Sequence, residues 1–214
     1  MKKPRAAVSA LLAAVLLVAA AGCGNSGGEK LKDQSTYEKI QNMLVNLTSF
    51  KSDASVEYKS NKGSNTYETT QQCKITGEYR IEVTGPKKVA GNVSISDGKT
   101  ISQFNTNISG RVSITTKENQ ERSEILLTNF IKNYLNSQEV SISVANIATN
   151  QCTVLEASIP GNHPYIASEK LWIDNTTLKP VQLIIYDPQG SERIVVTYKT
   201  FDYNVELGDS LFKV

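Results

Sequence analysis

The stretch Val181-Gln182-Leu183-Ile184-Ile185-Tyr186-Asp187-Pro188-Gln189-Gly190-Ser191-Glu192-Arg193-Ile194-Val195-Val196-Thr197-Tyr198 decides the fold class. Two runs rich in β-branched and aromatic residues flank Pro188-Gln189-Gly190. There proline presets one backbone angle and glycine accepts a positive one, so the whole reads as a hairpin. Along a strand, side chains alternate between faces. Val181, Leu183 and Ile185 therefore share one face, while Ile184 and Tyr186 take the other. Val195 likewise opposes Ile194, Val196 and Tyr198. Strands apolar on both faces are covered on both. Helices cover one side. On the other, either a strongly curved sheet encloses an apolar hollow or a second thin core layer fills the space with side chains.

Outward from this hairpin the same period recurs. Ala54, Val56 and Tyr58 alternate with Ser55, Glu57 and Lys59 before a turn at Asn61-Lys62-Gly63-Ser64. Strand-like runs follow at residues 67–74, 77–83, 89–96, 100–105 and 111–116, with Asp97-Gly98 as a hairpin signal. Past residue 136 come runs at 140–147, 152–159 and 169–174. Two stretches have helical spacing instead. Ser35-Thr36-Tyr37-Glu38 has the form of a capping box ahead of Tyr37, Ile40, Leu44 and Leu47. Glu121 to Asn136 carries Ile125, Leu127, Phe130, Ile131, Tyr134 and Leu135 behind an acidic first turn. Short turns join antiparallel strands, since parallel ones need long crossovers. The expectation is one α+β domain over residues 35–214, an antiparallel sheet with two helices against it.

The N-terminus speaks for the compartment. Lys2-Lys3-Pro4-Arg5 is a basic n-region and residues 6–22 an uncharged Ala/Leu/Val-rich h-region, so residues 1–22 read as a secretory signal. Ala20-Ala21-Gly22-Cys23 resembles a bacterial lipobox with Ala in place of the usual Leu. In a lipobox the Cys23 thiol takes a diacylglycerol, with palmitate among its acyl chains, and anchors the protein on the extracytoplasmic face of the cell membrane. Residues 23–34, with Gly24-Asn25-Ser26-Gly27-Gly28, read as a flexible tether. Cys73 and Cys152 remain, either as a disulfide or as buried thiols.

Charge excludes one class of partner. The whole chain has 23 basic and 21 acidic residues, and without Lys2, Lys3 and Arg5 the basic count falls to 20. A nearly neutral domain offers no electrostatic footprint for nucleic acid. Chemistry is equally sparse. The single histidine, His163, sits in the loop-like Pro160-Gly161-Asn162-His163-Pro164. No Ser–His or Cys–His arrangement and no metal-ligand spacing is recognisable. The glycine-rich run at 24–28 is not placed between a strand and a helix as a phosphate loop would be. Glu118, Glu121 and Glu124 read as a solvated helix start and Lys87-Lys88 as a loop pair. Trp172 is either a packed side chain or a surface anchor for another protein. The residues point to no catalytic site, metal or cofactor.

Several stretches combine in a resemblance. Leu171-Trp172-Ile173-Asp174, Leu178-Lys179-Pro180-Val181, Ile185-Tyr186-Asp187 with Gly190, and the ending Phe201-Asp202-Tyr203-Asn204, Leu207, Asp209-Ser210-Leu211-Phe212 resemble the LolA/LolB-like superfamily of lipoprotein-localisation proteins. Within it, residues 77–82, Ala90-Gly91-Asn92, Asp97-Gly98-Lys99, Gln103-Phe104-Asn105, residues 121–127 and His163-Pro164-Tyr165 are similar to the clostridial spore-germination lipoproteins of the GerS type. The resemblance implies a curved, unclosed half-barrel with helices against its concave face. It also implies a non-catalytic role in germination: binding and activating a zinc-dependent N-acetylmuramoyl-L-alanine amidase that makes cortex muramic lactam, the metal belonging to that partner. The other implied role is a lipid or lipoprotein binder of the LolA/LolB type, which needs an open cavity. An open sheet with free edges is also suited to homodimerisation by strand exchange.

Overall fold

The computed structural model describes residues 27–108, 111–115 and 124–213. The signal segment 1–22, Cys23, Glu118 and Glu121 lie outside the described residues. The elements run α1 (Gly27–Val45), β1 (Ser49–Ser60), β2 (Gly63–Lys74), β3 (Glu78–Gly85), β4 (Asn92–Asp97), β5 (Thr100–Asn105), β6 (Arg111–Thr115), α2 (Leu127–Asn136), β7 (Val140–Ile147), β8 (Asn150–His163), β9 (Ile166–Asp174), β10 (Pro180–Tyr186) and β11 (Glu192–Tyr203), closed by a 3₁₀ turn at Asp209–Phe212. All eleven strands form one antiparallel sheet in the order β6-β5-β4-β3-β2-β1-β11-β10-β9-β8-β7. It is a curved sheet that does not close: β6 and β7 are its two edges. Residues Thr36–Val214 form one compact unit.

The hairpin expected at residues 187–190 forms for a visible reason. Asp187 Oδ1 accepts the N–H groups of Gln189 at 2.9 Å and Ser191 at 2.8 Å, while Arg193 Nε donates to Oδ2 at 2.7 Å. Gly190 supplies the positive φ of 79°. Desolvation opposes charge on Asp187, but these donors outweigh it and hold its pKa below the usual carboxylate value.

Besides α2, which begins at Leu127 after an extended Leu126 and so leaves Glu124 ahead of the helix instead of in an acidic first turn, two element boundaries differ from the sequence expectation. The capping box at Ser35–Glu38 lies inside α1, which starts at Gly27. Glu29 to Gln34 are good helix formers with no stop signal, so helix propagation runs upstream through them. The second difference is at His163, which ends β8 rather than lying in a loop. The strand passes Pro160-Gly161 through a register break between Ser158 and His163, the kind of irregular site at which proline is tolerated.

The inner face of the sheet meets both helices in one core. Ile40, Leu44 and Leu47 of α1 and its exit pack with Leu127, Phe130, Ile131 and Tyr134 of α2 against Phe50, Val56, Leu155, Leu171, Leu183, Ile185, Val196 and Phe201. Phe50 stacks on Phe201 at 5.0 Å between ring centroids, and Phe130 on Tyr134 at 5.7 Å.

The outer face is covered in two ways. Across β8–β11, Val154, Ile184 and Val195 are buried beside Trp172 and Lys170, their strand neighbours, and Lys170 Nζ lies 5.5 Å from the Tyr186 ring centre. Trp172 is thus half-buried on the outer face and outside the main core. At the other end, Phe212 of the C-terminal segment, with Leu207 and Leu211, packs on Val93, Ile95 and Phe104. Lys74 fixes that segment by an ion pair with Asp209 at 2.6 Å.

Candidate functional site

The inner face holds the most unusual polar groups. Glu169 stands on β9 in step with Leu171 and Ile173, so it points inward, where it is 1% exposed. Its neighbours across the strands are Ala157 and Ile185. From above, Asn133 of α2 donates to Oε1 at 2.7 Å, and Oε2 has no partner among the described residues. Desolvation, with a smaller contribution from Glu124, pushes the carboxyl up to about 7 against the opposing bond from Asn133. Ser52 Oγ, Gln71 Oε1 and the Tyr198 hydroxyl are also buried without partners among the described residues. Ser52 and Gln71 face each other across β1 and β2. A raised carboxyl in a cleft marks a candidate acid catalyst, but Glu169 is sealed beneath a helix and has no access for a substrate. Its role here is to hold α2 onto the sheet.

The second tie of α2 runs to α1. Gln41 Nε2 donates to the hydroxyls of Tyr37 at 2.6 Å and Tyr134 at 2.9 Å, and those hydroxyls lie 3.4 Å apart. Period-two reading alone places Glu169 on the face of Leu171 and Ile173. Sequence reasoning gives it only as the first residue of a strand, and nothing in the sequence announces Asn133 opposite it.

The other sequence candidates are scattered. His163 is exposed at the end of β8, its Nδ1 accepting the Tyr165 N–H at 3.2 Å. Cys73 and Cys152 are both buried free thiols: Cys73 faces inward opposite Phe50, and Cys152 pairs with Asp174. Burial pushes both thiols up, which makes them unreactive. No three His, Cys, Asp or Glu side chains converge as metal ligands among the described residues. None of the described helices is long and apolar enough to cross a membrane.

What the fold presents outward is an uncovered edge. On β7, Val140, Ile142 and Val144 are 45%, 45% and 46% exposed. They lie opposite Ala157, Leu155 and Thr153 of β8 and so share the inner face. α2 packs chiefly on β8, and these three side chains stay open.

Comparison with known proteins completes the picture. A family model described as sporulation protein YdcC-like matches residues 6–212. No curated protein matches the chain. Among solved structures, an uncharacterized conserved protein from Thermus thermophilus superposes with a TM-score of 0.51 at 11% identity, over 84% of this chain and 91% of that one, a likeness of fold. The CwlD amidase from Clostridioides difficile in complex with the GerS lipoprotein matches at 27% identity and a TM-score of 0.49, over 80% of this chain and 95% of that one. A LolA superfamily protein from Nitrosomonas europaea matches at 15% identity and a TM-score of 0.45, covering 85% and 97%.

Proposed function

The chain belongs to the sporulation protein YdcC-like family, and on that premise we propose that it is a non-catalytic lipoprotein of spore formation and germination that binds and activates an N-acetylmuramoyl-L-alanine amidase of the cell wall. The family match over residues 6–212 carries the reading. The amidase as partner follows from the resemblance of residues 77–82, 97–99 and 103–105 to germination lipoproteins. The partner supplies the zinc and the chemistry; this chain supplies a surface. Cys23 carries the lipid that holds it to the extracytoplasmic face of the membrane, residues 23–34 space the domain from the bilayer, and homodimerisation by strand exchange belongs to the same reading.

The filled inner face favours this over the lipid-carrier alternative. Phe50, Phe130, Leu155, Leu171 and Leu183 are among the largest fully buried side chains, and they occupy the place in which an acyl chain would lie. A close-packed interior does not accept a ligand of that size without displacing them.

Two experiments test the reading. Cell-wall amidase from the same organism, assayed on peptidoglycan with and without the full-length lipoprotein in detergent, should gain substantially in rate when the two are mixed at equal concentration. An unchanged rate, with no comigration on size exclusion, sinks the activator role. The anchor is tested separately. Cys23→Ser should move the protein from the membrane fraction to the soluble one, because the acyl chains supply the bilayer affinity, and retention on the membrane would rule out lipidation there.

A further inference from the structure

We propose that the strip formed by Leu135, Val140, Ile142 and Val144 is a membrane-docking surface: it rests in the interfacial layer of the bilayer that holds the lipid of Cys23. The inference depends on the lipidated anchor in the reading above and deepens it. The test is made without the amidase and reads anchoring and docking separately.

Three observations carry the inference. The first is a concentration of exposed apolar surface. Nine large hydrophobic side chains are exposed among the described residues, and four of them, Leu135, Val140, Ile142 and Val144, fall within ten residues. Scattered single ones need no explanation, whereas a cluster marks a site of contact with a protein or a membrane. Leu135 is in the last turn of α2, and only three residues separate Asn136 from Val140. Val140 to Ile147 contains no charge, so no ion has to leave water when the strip enters an apolar layer.

The second observation is where the chain from the anchor joins the domain, and it commits the strip to the bilayer. Four residues from Cys23 to Gly27 reach at most about 14 Å. Ten helical residues from Gly27 to Tyr37 add about 15 Å. The acylated cysteine is therefore within about 30 Å of Tyr37, less than the roughly 40 Å spanned by a strand as long as β1. Tyr37 in turn meets α2 at the root of the strip: its hydroxyl lies 3.4 Å from that of Tyr134, and Gln41 bonds to both. Leu135 is the next residue. The anchor thus enters beside the strip and keeps one apolar phase, the bilayer, permanently at high effective concentration.

The third observation is the chemistry around the strip. Ser141 and Ser143 alternate with the apolar residues and are exposed on the opposite face of β7, so the strand has one face for acyl chains and one for water and headgroups. Tyr37 and Tyr134 place an apolar ring and a hydroxyl at the same end, the pairing that suits the headgroup level. The exposed charges that flank the strip, Lys132 and Glu139, cancel. Docking here is therefore apolar insertion, to the shallow depth usual for interfacial elements, and not attraction to anionic lipid. Its signature is insensitivity to salt.

The test uses full-length lipidated protein reconstituted into phosphatidylcholine vesicles that carry a nitroxide high on the acyl chain. An environment-sensitive dye is attached to Ile142→Cys or Leu135→Cys, with wild-type protein as the background control, since Cys73 and Cys152 are buried. Both labels should shift to the blue and lose at least half their emission to the nitroxide. The loss should be the same at about 0.1 M and about 1 M salt, which shortens the screening length roughly threefold. Ile75→Cys, also at an exposed position but beside Thr48 just past the other end of α1, should be unaffected. Protein that binds the vesicles while its Ile142 label stays unquenched overturns docking and leaves the anchor standing. Protein that does not bind the vesicles at all overturns both. A label shielded from aqueous iodide yet untouched by the nitroxide would mean that a second copy or another protein occupies the strip, and would also overturn the proposal. Because the dye is itself apolar, Ile142→Asp/Val144→Asp is tested in the Leu135→Cys background. It should abolish quenching at Leu135 while vesicle binding and the thermal melt of the domain persist, and undiminished quenching would count against docking through β7.

Discussion

Replacing Phe130 with alanine is expected to cost about 3–5 kcal/mol, the usual range for truncating a buried phenylalanine. Phe130 is fully buried and stacks on Tyr134, at the centre of the α2 face that meets the sheet. The helix has little of its own, apart from such packing and its ties through Asn133 and Tyr134, to hold it. It spans ten residues, its N-cap is Leu126 without a side-chain cap, and it has no acidic residue in its first turn and no basic one in its last. A helix this short does not persist on propensity alone, so packing supplies its stability. The variant should therefore lose hydrogen-exchange protection in Leu127–Asn136 well before the strands β1 and β11 do, and urea melts should show the lower midpoint. Equal loss of protection throughout the sheet would mean that α2 is no separate unit. Leu135→Ala, at an exposed position of the same helix, should change stability by less than about 0.5 kcal/mol.

The second large effect is a dependence on pH through Glu169. Its carboxyl titrates near 7 in the folded chain, against 4.5 when unfolded. Between those values the folded protein keeps a proton that the unfolded chain has released. Stability is thus fully present below about pH 4.5, declines as pH rises through the window, and stays at its lower level above 7. The decline amounts to roughly 3 kcal/mol by linkage. Glu169→Gln keeps the shape and can still accept from Asn133 through its amide oxygen. It should abolish the slope over that window and make the protein more stable at alkaline pH by a similar amount, roughly 5–10 °C in Tm for a domain of this size. Identical pH profiles for the two proteins would place the charge elsewhere.

Much of this architecture is legible from local chemistry. The Asp187–Gly190 turn, the two-sided strands beside it and the stripes Ile40-Leu44-Leu47 and Leu127-Phe130-Ile131-Tyr134 follow from spacing alone, because each depends on residues within a few positions. What is not legible depends on neighbours far along the chain. Glu169 looks like any acidic strand residue until Asn133 and Ile185 are placed around it. Val140, Ile142 and Val144 have the alternation of an ordinary half-buried strand, and only the strand order shows that they stand on an edge. The start of α1 differs for the opposite reason: the Ser35–Glu38 box is a good local signal, overridden by helix-forming residues upstream.

The middle of the sheet has a consequence for how the protein is made. β1, the first strand to emerge, takes its two neighbours from opposite ends of synthesis: β2 follows at once, but β11 ends at Tyr203, pairing with Phe50. The seam between the two halves of the sheet is therefore zipped last, by pairings between the two ends of the domain, and such long-range pairings are slow to form. A chain still missing Glu192–Tyr203 has two half-sheets with raw inner borders and no ladder between them. It stays unfinished until its final strand has arrived, so the domain commits to its shape only once Glu192–Tyr203 is available.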